Sequence, residues 1–144
     1  MIKIICVGKI KESFYRDAIE EYMKRLSKYH KVVIEEVMDS NMKNEGDFIL
    51  KHIHHKDYVV TLEIEGNYLS SVEFADKIDK TLIHYSNITF VIGGSDGLDD
   101  RIKNISNYKL SFSKMTFPHQ LFRVILLEQI YRSFKILNNE TYHK

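Results

Sequence analysis

The segment ITFVIGGSDGL, residues 88–98, decides the fold class. The apolar and β-branched run Ile88–Ile92 predicts a buried strand, and three glycines within the next five residues predict a loop at its carboxyl end. In an α/β sheet ligands bind at the carboxyl ends of strands, and glycines let a ligand approach the backbone closely. The spacing is not that of the dinucleotide fingerprint, and the loop lacks a P-loop lysine. The loop is therefore a candidate ligand site, and a plain turn is the alternative.

Strands and helices alternate on both sides of this segment. We predict strands at 1–7, 31–37, 57–64, 87–92 and 108–112, and helices at 12–29, 47–54, 99–105 and 119–137. Ser70 and Glu73 form a capping box that opens a further helix, while 39–46 and 65–67 are predicted as a polar loop and a turn. The alternation predicts one α/β domain over residues 1–144, with a parallel-rich sheet covered by helices on both faces.

The composition is that of an ordinary globular protein. No apolar run approaches the roughly 20 residues of a membrane span, and the N-terminus lacks a signal-peptide layout, so the cytoplasm is the expected compartment. The single cysteine, Cys6, lies in an apolar run and is predicted to be a core residue. No His and Cys cluster has metal-ligand spacing, and His52, His54 and His55 are expected at the surface, so no metal site is predicted.

The net charge of +1 hides an uneven distribution. Residues 1–100 carry 13 Lys and Arg against 18 Asp and Glu, a net −5, whereas residues 101–144 carry 8 against 2, a net +6. A basic C-terminal third favours a face that meets a polyanion, with chance clustering as the alternative. The total is too low for binding naked nucleic acid through counterion release alone, so an RNA partner would have to be recognised largely by shape.

The helix predicted at 119–137 has no clean polar face. Such a helix must be covered on more than one side, either at the centre of the domain or at a subunit interface, and we favour a two-fold homodimer. Glu128 and Arg132 have the spacing of an ion pair. Arg123 has no acidic residue at that spacing, so it is the better functional candidate of the helix.

Two further segments are candidates for function. The loop 113–119 follows a strand and contains the only proline, so it is either a rigid cofactor loop or a plain connection. The chain ends in Tyr142, His143 and Lys144, whose side chains could stack on a base, handle a proton and meet a phosphate. An idle tail is the alternative.

Taken together, these segments resemble the ribosomal RNA large subunit methyltransferase H family, a minimal form of the SPOUT methyltransferases. The resemblance covers nearly the whole chain, and its pieces are specific in combination rather than singly. They are VGK at 7–9, TLEI at 61–64, FVIGGSDGL at 90–98, SNY at 106–108, LSFSKMTFPH at 110–119, RV at 123–124, EQIYR at 128–132 and YHK at 142–144.

The resemblance implies a deep trefoil knot in the C-terminal part of the chain, an exception to the rule that chains are unknotted. It implies that S-adenosylmethionine binds in the knot. The matching cofactor positions are Leu62, Gly93, Phe112, Ser113, Lys114, Met115, Thr116 and Phe117.

The resemblance also implies a reaction and its partners. The expected reaction is methylation of N3 of a pseudouridine in 23S ribosomal RNA within the assembled ribosome, by a homodimer in which the tail of one subunit completes the site of the other. Arg123 and Arg132 are expected to anchor anionic groups. His119, or Tyr142 with His143, is expected to position the base and handle its proton.

One departure from the family is expected at 38–46, where its members have more residues. If the longer segment contacts the ribosome, the RNA target of this chain could differ. The alternatives to the expected function are therefore a SPOUT methyltransferase that acts on another RNA such as transfer RNA, and a non-catalytic, ribosome-associated RNA-binding module.

Overall fold

The computed structural model describes all residues from 1 to 144. Five strands alternate with five helices along the chain. They are β1 Ile2–Val7, α1 Ser13–Leu26, β2 Val32–Val37, α2 Met42–Leu50, β3 Tyr58–Tyr68, α3 Ser71–His84, β4 Ile88–Ile92, α4 Asp100–Ile105, β5 Tyr108–Ser111 and α5 His119–Leu137.

The strands form one parallel sheet in the order β2-β1-β4-β3-β5, which confirms the predicted fold class. All five residues of the central strand β4 are buried, as the apolar run at 88–92 predicts. Because the strands are parallel, their carboxyl ends lie along one edge of the sheet. The loops that follow β4 and β5 are therefore neighbours in space, although they are distant in sequence.

Helices cover both faces of the sheet, and each face has its own core. Alternate residues of β1 point to opposite faces and so belong to different cores. Ile4 and Cys6 contact the core beneath α1, α3 and α5, whereas Ile5 and Val7 contact the core beneath α2 and α4. Cys6 is fully buried, which confirms its prediction as a core residue, and burial raises the pKa of its thiol to about 12.

The prediction of a polar loop at 39–46 is wrong over most of its length. Helix α2 begins at Met42, because the side chain of Asn41 accepts a hydrogen bond of 2.8 Å from the backbone N–H of Asn44. Gly46 lies buried inside this helix. A Cβ at this position would lie 2.6 Å from the Asp99 side chain. A side chain at this position would displace the side chains of Asp99 and Arg101, so the glycine lets α2 pack closely on the start of α4.

The turn predicted at 65–67 is also wrong, because β3 continues through it to Tyr68. The register against β5 shifts between Leu62 and Asn67, and pairing resumes with Asn67 opposite Leu110. A Cβ on Gly66 would lie 2.8 Å from the backbone of Lys109. Gly66 therefore permits a close approach of two strands rather than a reversal of the chain.

Helix α5 has the predicted bounds and packs on α1 and α3 above the sheet. Leu126, Leu127 and Ile130 are fully buried, so a central position accounts for much of its apolar character. Val124 and Ile125 are only half-buried within one chain. The homodimer predicted from this helix thus stays a prediction. None of the five helices combines the length and the apolar character that a membrane span requires.

Candidate functional site

A cleft of about 460 Å³ opens at the carboxyl ends of β4 and β5, beside the middle of β3. Three segments line it: 62–65 in β3, 92–98 without Asp96 at the end of β4 and in the glycine loop, and 110–117 without Lys114 at the end of β5 and in the loop after it. Lys103 of α4 and two residues of α5, His119 and Phe122, complete the wall. The cleft is where ligands bind in parallel α/β sheets, and its volume is in the range of small-molecule sites.

The structure brings seven of the eight predicted cofactor residues to this cleft. The seven are Leu62, Gly93, Phe112, Ser113, Met115, Thr116 and Phe117. Lys114 is the exception: it is exposed and does not line the cleft. Of the five predicted catalytic residues, only His119 lies on the cleft wall.

The glycine loop is a tight turn in which Gly97 supplies a positive φ and Gly93 lies too close to the backbone for a side chain. The N–H of Gly97 donates a hydrogen bond of 3.0 Å to the carbonyl of Gly94, and Gly97 has a φ of +84°. A Cβ on Gly93 would lie 2.8 Å from the carbonyl oxygen of Gly97. The sequence left open whether this loop is a ligand site or a plain turn. In the structure the loop is a turn, and it also lines the cleft.

The loop after β5 is fixed by its own hydrogen bonds. The Ser111 hydroxyl donates to the carbonyl of Ser113 at 3.1 Å, and the Ser113 hydroxyl accepts from the N–H of Met115 at 2.9 Å. Phe112 and Phe117 pack on Phe122 of α5 with ring centroids 5.0 and 6.0 Å apart. The loop thus presents an aromatic wall and a row of backbone groups in a fixed geometry, which suits a planar ligand such as a purine.

Three charged lining residues escaped the sequence analysis, namely Glu63, Glu65 and Lys103. Glu63 accepts a hydrogen bond of 2.6 Å from the hydroxyl of Thr61, which is fully buried. The sequence does indicate the two glutamates by their position, because both lie near the carboxyl end of the strand predicted at 57–64, where ligands bind. The incorrect prediction of a turn at 65–67 placed Glu65 outside the strand.

Arg123 lies outside the cleft and is almost fully buried, with 1% of its surface exposed. Its guanidinium donates at 2.7 Å to the carboxylate of Glu36 in β2 and, at the same distance, to the carbonyls of Val7 and Gly8 at the end of β1. Arg123 does have an acidic partner, Glu36, which lies 87 residues away in the sequence and not on the same helix. Arg123 therefore ties the first turns of α5 to the edge of the sheet.

Arg132 joins the C-terminal tail at the far end of α5. It pairs with Glu128 at 2.8 Å, as the spacing predicts, and this pair raises the pKa of Arg132. Its guanidinium also lies 3.1 Å from Nδ1 of His143 and 4.8 Å from the ring centroid of Tyr142. The ring of Tyr142 packs edge-on against Tyr131 at 5.1 Å. Three predicted catalytic residues thus form one cluster, which we call the tail cluster: Arg132, Tyr142 and His143.

The tail cluster is held in place by the turn that precedes it. Asn139 reverses the chain after α5 with a φ of 55°. The carboxylate of Glu140 then accepts hydrogen bonds of 2.9 Å from the hydroxyl of Tyr29 and from the amine of Lys135. Lys135 is the main reason that the pKa of Glu140 is lowered. The tail is thus anchored to the turn after α1 and to α5.

Within one chain, the cleft and the tail cluster are separated by most of α5. Arg132 lies more than three turns after His119, about 20 Å along the helix axis. The structure therefore places the predicted site residues in two groups, with Arg123 buried apart from both.

The basic C-terminal third offers less free charge than its composition suggests. Four of the eight Lys and Arg residues in 101–144 are in ion pairs, namely Arg101, Arg123, Arg132 and Lys135. No group of three or more His, Cys, Asp or Glu side chains is placed to hold a metal ion.

Comparison with known proteins gives consistent matches along the whole chain. Residues 1–143 match the family described as Predicted SPOUT methyltransferase. The ribosomal RNA large subunit methyltransferase H of Clostridium botulinum strain Okra is 52% identical over 157 positions, and that of Clostridium tetani is 51% identical, with 99% of each chain covered. An alignment of 157 positions against 144 residues contains at least 13 positions at which the relative has a residue and this chain has none.

Two solved structures share the fold at low sequence identity. A methylase-family protein from Haemophilus influenzae has a TM-score of 0.60 and 12% identity, covering 99% of this chain and 70% of that one. A tRNA methyltransferase from Aquifex aeolicus has a TM-score of 0.52 and 15% identity, covering 91% and 69%. The chain therefore belongs to the SPOUT methyltransferase family, and this membership implies the C-terminal trefoil knot expected from the resemblance.

Proposed function

We propose that this protein transfers a methyl group from S-adenosylmethionine to ribosomal RNA of the large subunit. The observation that carries the proposal is the cleft beside β3 at the carboxyl ends of β4 and β5, where two rigid loops converge. The names of relatives that are more than 50% identical over their full length supply the substrate class. Ribosomal RNA as substrate agrees with a cytoplasmic protein.

The residues of the cleft fit the proposed donor. Phe112 and Phe117 give the apolar wall that an adenine ring requires, and the backbone of the loop 112–117 offers hydrogen-bonding groups to its edge. Gly93 lets the donor approach the backbone at the end of β4, together with Leu62 at β3. S-adenosylmethionine supplies a methyl group already activated on a sulfonium. The work left to the protein is to align the acceptor and to remove its proton.

The proposed acceptor is N3 of a pseudouridine in 23S ribosomal RNA on the assembled ribosome. N3 must lose its proton as the methyl group arrives, so an acceptor for that proton is needed near the cleft. His119 on the cleft wall is one candidate, and Tyr142 with His143 is the other. Arg132 is proposed to anchor an anionic group of the RNA beside them. The low net charge agrees with a folded substrate that is recognised by shape.

A homodimer would join the two groups of residues. Since the tail cluster lies about 20 Å along α5 from the cleft in its own chain, it cannot act there without a large rearrangement. We propose that the tail cluster of one subunit completes the cleft of the other. The half-buried Val124 and Ile125 on α5 are the type of residue that such an interface would cover.

Methyl transfer with radiolabelled S-adenosylmethionine tests the proposal. The substrates are assembled ribosomes, free 23S ribosomal RNA and transfer RNA, all from a strain that lacks the enzyme. We expect label in assembled ribosomes, at N3 of one pseudouridine when the RNA is mapped by mass spectrometry. Label in transfer RNA alone would identify a different target, and a protein that binds no donor would be a non-catalytic module.

The tail cluster is tested separately with His143→Ala. We expect this variant to lose methylation while it keeps its affinity for the donor, because the proposed role of His143 is to handle the proton of the acceptor base and not to bind the donor. Unchanged turnover would remove the tail from the mechanism. Analytical ultracentrifugation at micromolar concentration checks the dimer, and a mass equal to one chain would contradict a shared site.

A further inference from the structure

The wall of the cleft carries more negative than positive charge. Two carboxylates, Glu63 and Glu65, face a single amine, that of Lys103. The proposed acceptor chemistry requires neither carboxylate. A charged side chain in a ligand cleft affects any bound molecule whose own charge changes during the reaction.

Glu63 is the better fixed of the two carboxylates. The buried hydroxyl of Thr61 donates to its Oε2 at 2.6 Å, a distance typical of a hydroxyl that donates to a carboxylate. Because the one proton of the Thr61 hydroxyl is given to Glu63, this hydroxyl accepts from the hydroxyl of Ser106, which lies 2.7 Å away. This network holds the Glu63 carboxylate between β3 and the loop that follows α4. An exposed glutamate such as Glu65 has no such support.

The bound molecule loses one positive charge during the proposed reaction. The N3–H bond and the sulfur–methyl bond break, the N3–methyl bond forms, and the sulfur keeps an electron pair, so a sulfonium becomes a neutral thioether. The proton leaves to the acceptor group of the protein. Donor and product are otherwise almost identical in shape, so charge is the main property by which the cleft can distinguish them.

We propose that Glu63 determines the preference of the cleft for the cationic methyl donor over the neutral product. This inference rests on the proposed function. A fixed carboxylate attracts the sulfonium but gains nothing from the thioether, so the product is bound less tightly and is exchanged for fresh donor. Because the cleft is open to water, we expect a selectivity of about three- to fivefold from this one residue, as for a partly solvated ion pair.

Isothermal titration of the intact protein with three probes tests the inference. S-adenosylmethionine carries the sulfonium, sinefungin carries an amine at the same place, and S-adenosylhomocysteine carries neither charge. In Glu63→Gln we expect the first two to bind about three- to fivefold more weakly and the third to bind as before. The matched control is Glu20→Gln on the exposed side of α1, which should change none of the three affinities.

The outcomes separate this inference from the proposed function. Equal weakening of all three probes would mean that Glu63 only shapes the cleft, and three unchanged affinities would mean that it does not act on the ligand; either result overturns the inference. If the unaltered protein binds none of the probes, the proposed function itself fails. Thermal melting of Glu63→Gln without ligand confirms that the variant is folded.

Discussion

Replacement of Arg123 by Met distinguishes a structural role of this residue from anchoring of the RNA. Met keeps most of the side-chain volume but removes the guanidinium, so the carbonyls of Val7 and Gly8 lose their donors at 2.7 Å. The contact with the Val7 carbonyl is buried and that with the Gly8 carbonyl is partly buried, so water replaces the lost donors only in part. Arg123→Met should therefore destabilise the fold.

The magnitude follows from the burial of the two partners. Removing one member of a buried ion pair costs about 3–5 kcal/mol when the remaining charge is left without solvent. Glu36 is 37% exposed, so water can replace the guanidinium there, and the loss falls mainly on the two carbonyls. We expect a decrease of about 3 kcal/mol in the free energy of unfolding, which lowers the Tm by about 10 °C for a chain of this size.

Urea denaturation measures the loss, and donor affinity is measured on the same samples. Arg132→Met is the matched control, because its pair with Glu128 is a partly exposed pair within one helix and should contribute no more than about 1 kcal/mol. If Arg123→Met is as stable as the unaltered protein and yet fails to methylate ribosomes, the structural argument is refuted. Arg123 would then act on the RNA, as the sequence analysis expected.

Three further variants test other parts of the structure. Gly93→Ala places a Cβ 2.8 Å from the carbonyl of Gly97, so the loop must shift, and calorimetry should show about a tenfold or greater loss of donor affinity. Glu140→Gln removes the charge that holds the tail, and we expect turnover on ribosomes to fall about tenfold or more at unchanged donor affinity; equal turnover would show that the tail needs no anchor. Burial, with smaller contributions from neighbouring acids, raises the pKa of Glu45. The folded state is therefore most stable while this carboxyl is protonated, below the ordinary carboxyl range, and it loses stability as the pH rises through the raised pKa. Glu45→Gln should consequently unfold at higher urea than the unaltered protein at pH 7 and at the same urea below about pH 4; a variant that is less stable at pH 7 would contradict this sign.

The sheet could be predicted from the sequence because its signals are local. Each strand is an apolar run and each long helix has its own periodicity, so the alternation of elements fixes a parallel sheet with two covered faces. The two errors, at α2 and at the end of β3, both fall on polar stretches that contain a glycine. Gly46 and Gly66 lie inside regular elements, where the missing Cβ makes room for Asp99 and for the backbone of Lys109. The sequence alone does not distinguish a glycine that turns the chain from one that admits a neighbour.

The parts of the candidate site that lie at strand ends could be predicted from the sequence. The ion pairs between residues that are distant in sequence could not. The loops after β4 and β5 follow directly from the rule that ligands bind at carboxyl ends, and both line the cleft. Arg123 was expected to be free because no acid lies one helical turn away. Its partner Glu36 is in β2, on a strand that only the folded sheet brings beside α5. Tertiary ion pairs of this kind leave no local signal.

The division of site residues between the two ends of α5 is itself an argument for the proposed symmetry. Rearranging one chain to bring the tail cluster to its own cleft would break the contacts of Glu140 with Tyr29 and Lys135. A two-fold axis across α5 needs no such rearrangement, because two helices packed antiparallel bring the end of each beside the start of the other. The same packing would cover the half-buried apolar residues of the helix. Variants that abolish the dimer should thus lose methylation while each chain keeps its donor affinity, and an active monomer would contradict the shared site.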